Sequence, residues 1–396
     1  MIQISPETQL FIREHSSDDV RALALQAKKY PDIDMPTAIT QIAGRQVAAE
    51  KIPSWREIEE IWYPKHLSLE QCSSEITARY KARLLQGDSL TDLTGGFGID
   101  CSFLATGFKS ATYVERQEEL CEIAAHNFPI LNLNHINVRN EDGVAYLQSM
   151  SPVDCIFLDP ARRNEHGGKT VAISDCEPNV AELEALLLSK ANRVMIKLSP
   201  MLDLSLALKE LKHTQEVHIL SVNNECKELL ILLGQTSPAE ITIHCVNLFT
   251  KGTQEEQHFV FTREQEQRSQ CTYTDSLGDY LYEPNASLLK AGAFRSIAAA
   301  YPVRKLHPNS HLYTSDTFIE NFPGRIFRIV NQCSFNKKEV KENLADLKKA
   351  NVTVRNFPAT VAELRKRIHL AEGGDTYLFA STLNNGQKVI IRCEKV

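Results

Sequence analysis

From Ser89 to Gly234 the chain alternates short β-rich runs with helical stretches, and this rhythm restricts its fold more than any other feature. The strand candidates are SLTDL, SATYVE, HINVRN, VDCIFLD, RVMIKLS, EVHILSVN and KELLILLG. Strands joined by helical crossovers pair in parallel, with helices covering both faces of the sheet. The last two runs are joined by only Asn224-Glu225-Cys226, too short for a crossover, so they form an antiparallel hairpin. The expectation is an α/β, Rossmann-like sheet of five parallel strands plus an antiparallel hairpin, spanning residues 87–235.

The flanking regions have other rhythms. Residues 1–86 read as a helical domain, with Ser5-Pro6 and Ser16-Ser17 as caps and apolar residues at three- and four-residue spacing. Trp55, Trp62 and Tyr63 are expected in its core or at a domain interface. Residues 236–396 read as an α+β region. It opens with strands ITIHCVNLF and EQHFVFTRE and a helix over YEPNASLLKAGAFRSIAAAY. A lysine-rich helix NKKEVKENLADLKK and a second helix TVAELRKRIHL follow among further strands. The last two strands, TYLFASTL and KVIIRCEK, meet across Asn384-Asn385-Gly386, a strong hairpin signal.

Composition narrows the class. At 396 residues and 43% hydrophobic the chain exceeds one ordinary domain and can fill a sizeable core. Its ten cysteines stand singly with no C-x-x-C, so reduced cytoplasmic thiols are expected rather than a disulfide framework or a metal site. The opening residues lack a basic segment followed by an apolar run, and charges interrupt every apolar stretch, so neither a secretory signal nor a membrane span is expected. Net charge is −6, yet from Glu320 onward fourteen Lys/Arg face eight Asp/Glu. A basic tail on an acidic body points to a polyanionic partner; a solvated lysine face is the plain alternative.

The first strand runs into Asp92-Leu-Thr94-Gly95-Gly96-Phe97-Gly98-Ile-Asp100. A dinucleotide fingerprint would need a third small residue where Cys101 stands, and Asp100 would repel a pyrophosphate. No G-K-[ST] follows, which excludes a P-loop. A ligand carrying a sulfonium and an ammonium, as S-adenosylmethionine does, suits acids around a glycine turn. Asp92 at the strand end can receive the ammonium, and Gly96 and Gly98 let backbone approach the ligand. A tight turn with no ligand is the alternative reading.

Later strand ends add to the pattern. Glu115, followed by Arg116, ends the second strand, where one carboxylate can grip two ribose hydroxyls. Asp142 follows the third strand near the place of an adenine amino group, with Asn140 and Glu141 as rivals. It reads equally as the N-cap of helix GVAYL. The fourth strand ends at Asp159-Pro160, where Pro160 fixes the loop and Asp159 can accept from a target amine or from the cofactor. Arg162 and Arg163 stand where a substrate phosphate or carboxylate could be held, or are a surface pair. Lys197 and Ser199 end the fifth strand on the same edge, and Ser73, Ser74 and Thr77 precede the first strand, placed to close over the cofactor.

The D-L-T-G-G-F-G-I-D turn, the Tyr-Val-Glu115-Arg116 strand end and Leu-Asp159-Pro160 together resemble the cofactor motifs of class I S-adenosylmethionine-dependent methyltransferases. The D-x-T-x-G-x-G-x-D form followed by Glu-Arg is similar to small-subunit ribosomal RNA guanine-N2 methyltransferases. EPNASLLKAG, KLHPNSHLYTSD and VRNFPATVAELRKRIHLAEGGDTYLFAST resemble bacterial methyltransferase-like proteins with a C-terminal THUMP-like domain. The resemblance runs from about Gln71 to the end.

It implies a methyltransferase whose cofactor lies against Asp92, Thr94, Gly95, Gly96, Phe97, Gly98, Asp100, Glu115, Arg116 and Asp142. Asp159 and Pro160 would be catalytic, and Arg162 and Arg163 would bind substrate. RNA would be the acceptor, gripped through Lys337, Lys338, Lys341, Lys348, Lys349, Arg365, Lys366 and Arg367. One departure concerns the target atom. Amine-methylating relatives carry [DN]-P-P-[FYW], whereas Asp159-Pro160-Ala161-Arg162 has no aromatic, although an arginine can itself stack on a base. Cys155, inside its strand, reads as core rather than nucleophile. The rival functions are a small-molecule or protein methyltransferase, with Arg162 on a carboxylate, and a non-enzymatic RNA-binding protein that keeps a cofactor pocket.

Overall fold

The computed structural model describes residues 4–162 and 172–396, and only the backbone of His66, Leu67 and Arg162. The chain divides into two compact units, Met1–Gln215 with Leu229–Pro238, and Glu216–Glu228 with Ala239–Val396.

In the first unit, strands β1 (Ser89–Asp92), β2 (Ser110–Glu115), β3 (Ile136–Asn140), β4 (Val153–Leu158) and β5 (Ala191–Leu198) pair in parallel in the order β3-β2-β1-β4-β5. Leu229–Gly234 of strand β7 (Glu225–Gly234) then runs antiparallel to β5. The expected Rossmann-like arrangement is present. From β1 the chain winds outward to β3 on one side, then returns to place β4 on the other side of β1. Such a reversal opens a crevice at the carboxyl ends of β1 and β4, the place where open α/β sheets bind ligands. Leu90, Ile156, Phe157, Val194, Met195 and Ile196 are all buried, as near-continuous apolar strands covered on both faces must be.

Residues 1–86, expected as a helical domain, lie in the same compact unit as this sheet. Trp55, Ile61, Tyr63, Leu69 and Ala78 form one buried cluster with Phe97, Ile99 and Ile123, so the helices share a core with the glycine turn. Trp55 and Tyr63 are core, while Trp62 is only partly buried. Gln41, from helix Met35–Lys51, is buried without penalty. Its Nε2 donates to the Tyr63 carbonyl and its Oε1 accepts from the Tyr63 N–H, both at 2.9 Å.

In the second unit, strand β6 (Thr214–Val222) turns into β7 through Asn223 and Asn224, at φ 50° and 67°. A two-residue hairpin needs two such left-handed residues, and asparagine adopts that conformation more readily than most. Strand β8 (Thr242–Leu248) pairs parallel with β6, and β9 (Glu256–Thr262) pairs antiparallel with β8. The run ITIHCVNLF, expected to open a separate region, thus covers the edge that β6 would otherwise expose.

A second sheet holds β10 (Tyr280–Pro284), β11 (Tyr313–Ser315), β12 (Gly324–Ser334), β13 (Asn351–Val354), β14 (Thr376–Thr382) and β15 (Lys388–Lys395), with only β13 and β14 parallel. The expected helix over YEPNASLLKAGAFRSIAAAY starts instead as strand β10. Asn285 then caps helix Ala286–Ala291, Gly292 ends it at φ +76°, and a further helix covers Ser296–Ala300. The alanine-rich half of that stretch set its period, masking a strand whose Leu281 and Tyr282 are buried. Helices Lys337–Leu344 and Val361–Ile368 bury Val340, Leu344 and Leu364 against Leu378, Ala380 and Ile390. Lys337, Lys338, Lys341, Lys348, Lys349, Lys366 and Arg367 remain exposed. Among the described residues, no helix is long and apolar enough to cross a membrane.

A shared core has a measurable consequence. Trp55→Ala should destabilise the first unit by about 3–5 kcal/mol in urea unfolding, as buried aromatic truncations do. A separate loss of the N-terminal helices, with the sheet still cooperative, would show that the core is not shared.

Candidate functional site

At the carboxyl end of β1, Asp92 is 1% exposed. Its Oδ1 accepts from the Thr94 N–H at 3.0 Å, while its Oδ2 is buried with no hydrogen-bond partner. Burial pushes this carboxyl well above the usual range. The Thr94 N–H opposes that shift, and Asp100, Asp159 and Glu115 reinforce it.

The turn after Asp92 is held at each step. Leu93 N donates to the Phe157 carbonyl at 3.0 Å and Gly95 N to the Val114 carbonyl at 2.9 Å. Gly95 is required by packing, because a Cβ there would lie 2.2 Å from the Tyr113 ring. Gly96 is required by conformation, at φ +54°. Around Gly96 the space is open, with the nearest heavy atom to a built Cβ at 3.8 Å. The Tyr113 hydroxyl donates to the Gly96 carbonyl at 2.5 Å, and the Gly96 N–H donates to Glu115 Oε2 at 2.9 Å. Glu115 Oε1 accepts from the Gln117 N–H at 2.9 Å, so this carboxylate is fixed at the end of β2 beside the turn.

Beneath the turn lies a buried ionic network. Asp100, in the first turn of helix Ile99–Ala105, pairs with Lys81 Nζ at 3.0 Å and Lys197 Nζ at 3.3 Å, and accepts from the Ser73 hydroxyl at 2.7 Å. Both lysines also donate to Ser73 Oγ, at 2.9 and 3.0 Å. Lys197 then reaches Asp159 Oδ2 at 2.6 Å. The Asp159 N–H donates to the Thr94 hydroxyl at 2.6 Å, joining the end of β4 to the turn after β1. Burial alone would raise the Asp100 carboxyl, but the two lysines outweigh it and hold Asp100 below the ordinary carboxylate range. Asp159 pairs directly with Lys197 alone, and burial together with the Asp100 charge leaves its carboxyl above the ordinary value.

The other expected residues separate into groups. Phe97 packs edge-on to Trp55 with ring centroids 5.3 Å apart, anchoring the turn in the helical core. Arg116 is exposed and faces Glu177 at 3.4 Å. Asp142 caps helix Gly143–Ser149 by accepting from the Val144 and Ala145 N–H groups, both at 3.0 Å. Its rival Asn140 donates to the Glu115 carbonyl at 3.0 Å. Pro160 is buried, and Arg162 lies in a two-residue ladder opposite Cys176. Arg163 lies outside the described residues.

Two contributors escaped the sequence reading. Lys81 is fully buried, on the face of helix Glu75–Ala82 that also buries Thr77 and Ala78. A lysine three and four residues after two inward positions was the available signal. Tyr113 alternates inward along β2, and only the neighbouring glycines hinted at what its ring would displace.

The comparisons agree with this architecture. The chain aligns over 100% of its length with 100% of a "putative methyltransferase" from Porphyromonas gingivalis W83, at 34% identity and a TM-score of 0.87. The chain belongs to that class I methyltransferase family. A ferredoxin-like domain model matches residues 280–323 of this methyltransferase, and a THUMP domain-like model matches residues 324–395. Solved structures also include SMU.1697c of Streptococcus mutans, a "putative methyltransferase" in complex with SAH. It is 12% identical over 40% of this chain and 96% of that one, with a TM-score of 0.30, too low to carry an argument. Among curated proteins, none matches.

Two outcomes follow from the geometry. Lys81→Met, which strips Asp100 of a buried partner, should cost about 3–5 kcal/mol. The ion pairs of Asp100 stabilise the fold above its unfolded pKa and are lost as pH falls through its depressed folded pKa. The Lys81→Met protein should therefore unfold at higher pH than wild type in an acid titration followed by circular dichroism. Gly95→Ala should lose about 1–3 kcal/mol through overpacking on Tyr113, measured in urea.

Proposed function

We propose that this methyltransferase uses S-adenosylmethionine and methylates an RNA nucleotide. The observation that carries the cofactor reading is Asp92 Oδ2, a buried carboxylate oxygen without a partner beside an open glycine turn. Asp100, Glu115 and Asp159 all lie close enough to act on Asp92, while two lysines, Lys81 and Lys197, pair with Asp100 and Asp159. That surplus of negative charge favours a cationic ligand over a phosphate. When bound, the cofactor supplies a methyl group on a sulfonium, already a good leaving group.

The chain's own residues then hold and orient. Asp92 receives the ammonium, and Glu115, fixed by the Gly96 and Gln117 N–H groups, presents its remaining lone pairs to ribose hydroxyls. Gly95, Gly96 and Gly98 keep the backbone close, Thr94 ties the turn to β4, and Asp142 flanks the adenine side. Phe97 and Asp100 support the turn from beneath, and Arg116, next to Glu115 after β2, is the candidate to line the cofactor's outer side. Asp159, placed by Lys197 and by its backbone bond to Thr94, directs the acceptor nucleophile. Its raised carboxyl suits it to take a proton from an amine. Pro160 rigidifies this strand end, and Arg162 and Arg163 are the candidates for the acceptor's phosphate or base. Methyl transfer needs little beyond this alignment of donor and acceptor.

RNA as acceptor rests on the THUMP domain-like match and on the exposed lysines of helices Lys337–Leu344 and Val361–Ile368, suited to phosphates. The described cysteines are all free thiols, in keeping with a cytoplasmic setting.

Transfer of labelled methyl groups to RNA from a strain lacking the gene tests the whole reading. Label in RNA is expected; label only in a metabolite or protein fraction would replace RNA as the substrate. Asp92→Asn should weaken S-adenosylmethionine about 10- to 150-fold in calorimetry, the worth of a hydrogen bond to a charged group. Because the folded Asp92 carboxyl is raised, it costs the ligand-free protein stability as pH climbs from the unfolded pKa through the folded one. Asp92→Asn should remove that decline in urea titrations. Reversing Lys337, Lys338, Lys341 and Lys366 to glutamate should weaken RNA binding and flatten its salt dependence.

A further inference from the structure

The second unit carries a cluster of imidazoles that methyl transfer does not use. Glu216 and His218 lie two apart on β6, so both point to one face of that strand. In the parallel register of β6 and β8, His218 stands directly beside His244. Across the antiparallel β8–β9 pair, Val260 faces His244, which puts His258, two residues before Val260, on the same face. Three neighbouring strands thus present one carboxylate and three histidines on one surface.

The distances are those of a ligand set. Glu216 Oε2 lies 3.3 Å from His218 Nε2 and 4.0 Å from His244 Nε2. One ligand atom from each of the three residues can be chosen so that all lie within 4.8 Å of one another. Two ligands at zinc bond lengths with a tetrahedral angle between them stand about 3.3 Å apart, so the Glu216–His218 edge already has that spacing. The other nitrogen of His244, Nδ1, lies 3.1 Å from His258 Nε2. A ligating histidine commonly gives its second nitrogen to an outer partner that fixes its tautomer, and His258 is placed for that role.

The surroundings also suit a cation. The His218 and His244 rings stack with centroids 4.2 Å apart, and those of His244 and His258 at 5.3 Å. Stacked imidazoles this close disfavour shared protonation. His218 is 2% exposed, while His258 lies at the surface, so the cluster has a dry floor and an open side.

We propose that Glu216, His218 and His244 bind one divalent transition-metal ion of the zinc class, with His258 as the partner that orients His244. Imidazole nitrogen with a single carboxylate selects zinc over calcium or magnesium, which take oxygen ligands. Three protein ligands leave a fourth position for water. The set was hidden in the sequence because its third ligand comes 26 residues after His218, brought alongside by strand pairing rather than by a short motif.

The test uses the metal-free full-length protein titrated with zinc sulfate, and then with cobalt chloride as a spectroscopic probe. One equivalent of zinc should bind, and cobalt should give tetrahedral d–d absorption without thiolate-to-metal charge transfer. His244→Asn and Glu216→Gln should each weaken zinc at least about 10-fold, and His258→Ala by about 10- to 100-fold as an outer partner. Circular dichroism and urea unfolding of each variant establish that the fold is kept. Since Glu216→Gln is nearly isosteric, it remains informative if His244→Asn fails to fold. No saturable zinc binding, equal binding by Glu216→Gln, or a cobalt spectrum with thiolate charge transfer would overturn the assignment. The last result would move the metal to the cysteines.

Discussion

The fold of the first unit turns on the ion pairs of Asp100. This carboxylate joins Lys81 from the helix before the sheet to Lys197 from the end of β5, and Lys197 continues to Asp159 at the end of β4. Two lysines with 0% and 11% of their side chains exposed would be prohibitive alone. Together with Asp100 and the Ser73 hydroxyl they satisfy one another, and removing any one strands the rest. The network ties the N-terminal helix, the glycine-turn helix and two strand ends at a single point.

That point explains the division of labour in the turn. Asp100, which in a bare motif looks like a ligand contact, is engaged by lysines and by Ser73, whereas Asp92, eight residues earlier, keeps an oxygen without a partner. Phe97 does for the apolar side what Asp100 does for the polar side, seating the turn on Trp55. Three glycines serve separate needs: Gly95 yields to Tyr113, while Gly96 and Gly98 accept a backbone that other residues resist.

Much of this was legible from residue order. Alternating strands and helices, and a hairpin too tight for a crossover, specified the five parallel strands and the antiparallel β7. Strand ends exposed Asp92, Glu115 and Asp159 because a carboxylate after an apolar run falls at the sheet's carboxyl edge. Lys81 was harder to see, since lysine is ordinarily a surface residue and its burial depends on Asp100, 19 positions later, and on the Ser73 hydroxyl. The β6–β8 pairing was also hidden. Nothing local tells an edge strand which later segment will cover it, and the residues that pairing aligns, His218 and His244, are unremarkable one at a time. The strand β10 was lost for another reason: alanines downstream imposed a helical period on a stretch that only Asn285 and Gly292 divide.

The raised Asp92 carboxyl has a meaning for occupancy. A buried acid among three other acids holds a proton more tightly than a free carboxyl does, and a positive charge beside its Oδ2 relieves the same repulsion. A proton and a larger cation compete for that oxygen, so binding of either weakens binding of the other. A neutral or anionic group placed there would relieve none of that repulsion.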